Sequence, residues 1–452
     1  MLDYTAIPGP SPYPILGWRG NNIRFIMDRV GYISMLHQRY GVITTFATQN
    51  PENWFFAFGP EYNQLLLSNT ELYNHIQPIN LPGNTAAARL STGLLSLNGQ
   101  EHAAHRSLLM PFFQRKYIDS YIPEIVEITN KHLARLAIGK TVDLESFFKQ
   151  LVFHIACKTL FGIDFNEIGE SLRLWLSRLT STSIALLPHI NFPFSPFRRF
   201  EHLSRGIEKS ILDIIAEKQN LQSDSPDIVN LLIKSGLSNY EIIGELMTLL
   251  LASHETTSAA LSWIFFLLSQ SPDITNKLTD EISGSKLENL NQLNLLDNIV
   301  KESLRLFPPV PYQHRRATDS YQLGPYMMPK NSIVSYSPYI THRLPNLYEH
   351  PTHFLPSRWN TIKPTTYEFL PFGAGPRMCI GASLAIMQIK IIIYLALQQF
   401  SMVLQPNVRM DRRTNIVLTQ RYGLPMSIVA PYKTVKQLSR IGNIWDMVYF
   451  PE

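Results

Sequence analysis

The chain has 452 residues, 45% hydrophobic and only 17% charged, and 40 Lys and Arg against 35 Asp and Glu leave a formal charge of +5. A chain this long and this apolar buries a large core, which excludes disorder as its main state. Its basic residues cluster no more tightly than pairs such as Arg198–Arg199, Arg315–Arg316 and Arg412–Arg413, which speaks against nucleic-acid binding, and two cysteines, Cys157 and Cys379, exclude a disulfide scaffold.

In chain order, residues 1–20 form an arm with prolines at 8, 10, 12 and 14 that reads as irregular or extended, and its start lacks the basic and apolar runs of a signal peptide. Residues 42–58 read as two strands turning at Asn50–Pro51. The stretch from about 61 to 305 is helix-rich, with 3.6-residue spacing clearest over 116–137, 144–161, 202–220 and 239–270, and prolines interrupt it between 186 and 197. Turns then separate short β-type runs over 306–345, among them Ser332–Pro338. A Pro- and Gly-rich loop fills 361–378, a helix covers 382–400, and 415–430 reads as a hairpin. No repeat and no Gly/Ser linker divides the chain. The expected architecture is a single domain, mainly α, with a smaller β lobe drawn from about 42–58, 306–345 and 415–430.

The apolar stretch Leu246–Leu268 is long enough to span a bilayer, but His254 and Glu255 sit at its middle, where ionisable groups are costly. It reads instead as a long central helix enclosed by protein, whose polar middle calls for a function.

Several familiar motifs fail. His254–Glu255 opens an H-E-x-x-H pattern, but the fifth position is Ser258. Gly139–Lys140–Thr141 lacks the earlier glycine of a phosphate loop. Gly373 and Gly375 lack the third glycine of a dinucleotide fold, since Met378 stands there, and no G-x-S-x-G elbow exists.

One constellation holds. Residues 372–381 read FGAGPRMCIG, ahead of an apolar helical run. A thiolate at Cys379 would face backbone N–H groups and a helix N-terminus, both of which favour negative charge. Gly373, Gly375 and Gly381 let the backbone approach something flat and bulky. The plain alternative is a cysteine used as a small buried hydrophobe.

The pattern F-G-x-G-x-R-x-C-x-G resembles the haem-binding loop of cytochromes P-450. The resemblance implies the cytochrome P-450 fold and haem b (iron protoporphyrin IX) with Cys379 as the axial ligand of its iron. It further implies that Arg377 pairs with a haem propionate, that Phe372 packs beside the thiolate and that Gly381 lies in the binding loop. Three further motifs follow the family's order. Glu302, Arg305 and, within F-L-P-S-R-W, Arg358 resemble its structural Glu–Arg–Arg triad. Ala252-Ser253-His254-Glu255-Thr256 resembles the oxygen-activating helix, with Ser253 where glycine is usual, which implies Glu255 and Thr256 as catalytic proton carriers. Gly99 to Arg106 resembles the helix whose His102 and Arg106 reach the propionates, and Arg315, with Arg316 as the alternative, completes that set.

The function implied is a monooxygenase that inserts one oxygen atom from O2 into a small hydrophobic substrate. Electrons would come from a separate ferredoxin or flavodoxin with its reductase. The alternatives are a haem-thiolate isomerase or peroxide-driven enzyme, or a non-catalytic haem-binding sensor. Expected pocket walls are 72–96, 183–197, the helix around Ala252, the stretch of Val310 and Tyr312, and the tip near Tyr422. Ile184, Leu186, Leu187, Phe192 and Phe194 would supply apolar surface, while Arg89 or His75 could meet a substrate carboxylate. With only seven residues before Pro8 and no membrane anchor seen, a cytoplasmic protein is expected.

Overall fold

The computed structural model describes residues 2–76, 81–162, 168–179, 192, 195–221, 227–432 and 440–450. They form two compact units, each built from separate stretches of chain.

The first unit comprises Met1–Ile76, Ala259–Cys379 and Phe400–Glu452. Its main sheet has five strands in the order Ile43–Thr45, Trp54–Ala57, Ile333–Tyr336, Gln313–Ala317, Tyr73–His75. The first two are the pair anticipated around Asn50–Pro51, antiparallel with Thr44 opposite Phe56. Phe55 then lies parallel to Val334, and Val334 faces Arg315 across an antiparallel ladder. Inward residues Phe55, Ala57, Tyr73, Val334 and Tyr336 pack with Leu67 of the helix Pro60–Ser68 and with Leu370 and Ala374 of the Pro/Gly loop. The sheet's apolar face thus fixes the start of the loop that carries Cys379.

The expected hairpin over 415–430 does not form. Leu418–Gln420 pairs back to Arg412–Thr414, and Pro425–Val429 pairs with Ser401–Leu404. Leu418 is already engaged on its other side: its N–H donates to Pro309 O at 2.9 Å, and its carbonyl accepts from Trp263 Nε1 at 2.9 Å. Pro425 brings no N–H to a ladder.

The second unit comprises Gln77–Ser258 and Ile380–Gln399. It is a helical assembly that includes Gly99–Leu109, Arg115–Leu133, Leu144–Ala156, Gly169–Leu179 and Pro196–Leu221. Asp143 caps Leu144–Ala156 by accepting from Glu145 N, and a single π turn, Cys157–Phe161, extends that helix to Gly162, which ends it at φ +67°. Phe153, Cys157, Trp175, Phe200, Ile211, Leu246 and Leu250 form the core. The long helix Asn239–Ser269 begins here, and the chain passes to the first unit between Ser258 and Ala259. Among the described residues one helix, Ala382–Gln399, is apolar and long enough to cross a membrane. It packs along Arg115–Leu133 as a core helix.

Candidate functional site

In the first unit the Cys379 loop is held by its backbone. Leu370 N donates to His342 Nε2 at 3.0 Å, Gly373 N to Leu370 O at 3.1 Å, and Cys379 N to Phe372 O at 2.8 Å. Gly375 sits at φ +69°, and a Cβ there would stand 2.2 Å from Leu67 O, so only glycine permits this close approach. Gly373, at φ +71°, faces open space. Phe372 and Arg377 are half-buried, and the Cys379 side chain is exposed. Cys157 is the contrast: burial pushes its thiol up to about 12, so it stays protonated.

Beneath this loop lies an ionic cluster of Glu302, Arg305 and Arg358. Arg305 donates to both Glu302 oxygens at 2.8 and 2.9 Å, and Arg358 Nε donates to Oε1 at 3.0 Å. Leu355 N and Trp359 Nε1 each add a bond at 3.0 Å. Burial would raise the Glu302 carboxyl, but Arg305 and Arg358 outweigh it and hold it below the usual range. Sequence reasoning missed His342, which joins this cluster to the loop. Its Nδ1 lies 3.2 Å from Arg305 O while Nε2 accepts from Leu370 N, so it bridges the two as a neutral ring. A lone histidine before Arg343 carries no local signal of that role.

Along Gln313–Ala317, Arg315 is buried and Arg316 exposed, as strand alternation requires. Arg315 Nη1 bonds His314 O at 2.9 Å and lies 3.4 Å from His75 Nδ1, so His75 is an arginine neighbour here. Val310 is half-buried. Tyr312 is buried against Phe25 and His314, and its hydroxyl accepts from Arg29 at 3.2 Å.

In the second unit, His102 is buried and Arg106 half-buried, one turn apart on Gly99–Leu109. The helix Asn239–Ser269 is buried along most of its length but opens at its polar middle. Ala252 is exposed, and Leu251, Ser253, Glu255 and Thr256 are half-buried. Thr256 Oγ1 donates to Ala252 O at 2.6 Å, which leaves its lone pairs to accept. Glu255 Oε2 lies 3.9 Å from Lys149 Nζ, and its Oε1 lies 3.6 Å from Nδ1 of His254, a ring that burial keeps neutral.

Arg89 does not wait for a substrate carboxylate: it forms a bidentate pair with Glu208 at 2.6 and 2.7 Å. The same stretch is held by two more carboxylates. Glu201 accepts from Ala86 N and Ala87 N at 3.1 Å, and Glu245 accepts from Leu94 N at 3.0 Å and contacts His105 Nδ1 at 2.8 Å. Of the expected pocket walls, Ile184, Leu186, Leu187 and Phe194 lie outside the described residues, and Phe192 is exposed.

The residues present fit a haem. The only exposed thiol is preorganised in a glycine loop that also carries the half-buried Phe372, an apolar ring that a flat hydrophobic group can cover.

Comparison with known proteins agrees. The family model for cytochrome P-450 matches residues 7–424. The chain is 27% identical to the chloroplastic "Protein LUTEIN DEFICIENT 5" of Arabidopsis thaliana, over 95% of this chain and 78% of that one. It is 25% identical to the cyclooctat-9-en-7-ol 5-monooxygenase of Streptomyces melanosporofaciens, over 86% of this chain and 88% of the other. In fold it is similar to a cyanobacterial cytochrome P-450 solved with retinoic acid bound, with a TM-score of 0.83 at 24% identity, covering 94% of this chain and 100% of that one. The chain therefore belongs to the cytochrome P-450 family, haem-dependent oxidoreductases that act as monooxygenases.

Proposed function

We propose that the protein inserts one oxygen atom from O2 into a hydrophobic organic substrate, with electrons from a separate ferredoxin- or flavodoxin-type partner. The observation that carries this is the exposed Cys379, set in a loop of fixed shape, while Cys157 is buried and protonated. The cofactor is haem b, which when bound supplies an iron centre whose thiolate ligand favours O–O cleavage. Cys379 supplies that sulfur. Arg315, Arg377, His102 and Arg106 hold the propionates, and Glu302, Arg305 and Arg358 brace the loop through His342.

Thr256 Oγ1 carries a proton inward, and Glu255 resupplies it. Thr256 Oγ1 donates to Ala252 O, a side-chain bond beyond the helix's own peptide ladder. The open centre around Ala252 offers the substrate an apolar wall. The relative named for oxidising cyclooctat-9-en-7-ol supports a largely apolar substrate. The positive balance of the chain, +5, suits an acidic electron donor.

The test is the spectrum of the reduced carbon monoxide complex. The wild type and Cys157→Ala should show the red-shifted Soret band of thiolate haem, and Cys379→His should lose it. Loss of that band in Cys157→Ala, with Cys379→His unaffected, would overturn the assignment.

A further inference from the structure

The first unit holds a cavity of about 310 Å³ that shares no residue with the Cys379 loop or with Glu302, Arg305 and Arg358. Small-molecule sites run from about 300 to 1,000 Å³, so a small ligand is the right size for it. It lies among the helix Arg29–Tyr40, the short helix Pro338–Thr341 with Arg343 and Thr352 beyond it, and Arg412 and Asp446 near the C-terminus. The exposed Gln38 and Asp446 mark its mouth.

Arg343 gives the wall its character. Its guanidinium lies 3.8 Å over the Tyr339 ring. It donates to Tyr339 O at 3.4 Å, Leu306 O at 2.5 Å and Met447 O at 3.2 Å. A guanidinium carries more N–H groups than these bonds use, and the buried Nε has no acceptor. All its acceptors are neutral carbonyls. The Glu302 carboxylate acts on it through space but is already bonded to Arg305 and Arg358, so three guanidinium groups share one acid. Burial lowers Arg343 to about 10, and Arg305 and Arg412 add to the fall.

The rest of the wall is also rich in donors. Arg412, a second guanidinium, is paired with Asp28 at 2.6 Å, and Gly31 leaves room for that pair where any side chain would strike it. Burial keeps the His37 ring neutral, so it offers an N–H, and the Thr352 hydroxyl offers an O–H. Among the described residues neither has a hydrogen-bond partner in the protein. Only Asp446, at the mouth, opposes an anion. Water would satisfy these donors but leave the Arg343 charge without a counter-charge, which a charged oxygen acceptor supplies.

We propose that this cavity binds a small oxyanion, the carboxylate or phosphate group of a small metabolite, against Arg343, with residues that the proposed haem and substrate sites do not use. The test is isothermal titration calorimetry of the full-length holoprotein with sodium acetate and, separately, sodium phosphate, at an ionic strength held constant with sodium chloride. At least one anion should bind saturably without shifting the Soret band, and the anion that does so identifies the group. Arg343→Gln should weaken binding at least about tenfold. Because Arg343 also holds Leu306 O and Met447 O, Ser34→Leu is the second variant. The Ser34 hydroxyl bonds Val30 O of its own helix, so this change fills the cavity without cutting a tertiary hydrogen bond. It should abolish binding while the Soret spectrum and thermal midpoint are kept. Asp446→Asn, which removes the charge at the mouth, should tighten binding. The proposal falls if neither anion binds saturably, if Arg343→Gln or Ser34→Leu binds as well as wild type, if Asp446→Asn fails to tighten binding, or if binding shifts the Soret band.

Discussion

Replacing Glu302 by Gln is the sharpest test of how the Cys379 loop is supported. The side chain is fully buried and accepts five hydrogen bonds, three on Oε1 and two on Oε2. Gln keeps the volume, but its NH2 group must replace one of those oxygens. If it takes the Oε1 place, it faces Arg305, Arg358 and Leu355 N. If it takes the Oε2 place, it faces Arg305 and Trp359. Either way donors meet a donor, and two guanidinium groups lose their counter-charge. Removing one partner of a buried ion pair costs about 3–5 kcal/mol, a large part of the roughly 5–15 kcal/mol that holds a domain folded. Asp119→Asn is the matched control: the exposed Arg115–Asp119 pair, at 3.7 Å, contributes no more than about 0.5 kcal/mol. The assay is the thermal midpoint of the holoprotein together with haem retention after gel filtration. Equal midpoints for Glu302→Gln, Asp119→Asn and wild type would refute the reasoning.

Gly375→Ala should destabilise the loop, since it combines a left-handed residue with a clash on Leu67 O; haem retention should fall while the helical circular dichroism persists. Thr256→Ala should keep the carbon monoxide spectrum yet divert reducing equivalents to hydrogen peroxide, and a tenfold loss of coupling corresponds to about 1.4 kcal/mol; equal coupling would remove Thr256 from the relay. Burial pushes His314 down to about 3 and His132 to about 4, helped by Arg29 and Arg135 respectively. Both are neutral when folded and protonate near 6.5 when unfolded, so stability should fall as pH drops below 6.5, and a flat midpoint between pH 7 and 5 would count against this. Reduction by a competent acidic donor should slow as salt rises; a rate that climbs steadily with ionic strength would contradict the charge argument.

The residues proposed for the site were the easiest to single out, because they are set by short spacings. Cys379 is marked by its glycines and arginine, and Glu302 and Arg305 share one helix face. What stayed hidden depends on partners far away in sequence. Arg89 looked available until Glu208, 119 residues on, was found to hold both of its donors. His342 gains its role only from Arg305 and from Leu370, 37 and 28 residues away. The strands within 415–430 are real, but their ladders go to Arg412–Thr414 and Ser401–Leu404, a choice made by Leu418's other hydrogen bonds and invisible to local alternation. The absence of a repeat or a Gly/Ser linker pointed to one domain, and the two compact units are each assembled from interleaved segments that no linker marks in the sequence.

The grip of Glu201 and Glu245 on the stretch from Ala86 to Leu94 has a consequence for how such a protein diversifies. Both carboxylates hold peptide N–H groups, which every residue except proline offers. The backbone course of this stretch is therefore set by two acids elsewhere and by Arg89, together with the buried Ala87 and Leu90 and the close approach that Gly93 makes to Gly244 O. Positions 88 and 91, which are half-buried, can exchange their residues without slipping the attachment, whereas Ala87 and Leu90 are fully buried in the core and stay fixed. A library randomised at 88 and 91, with Arg89, Glu201, Glu208 and Glu245 kept and proline left out, varies the surface on a constant frame. The same library built on Glu245→Ala would vary surface and frame together.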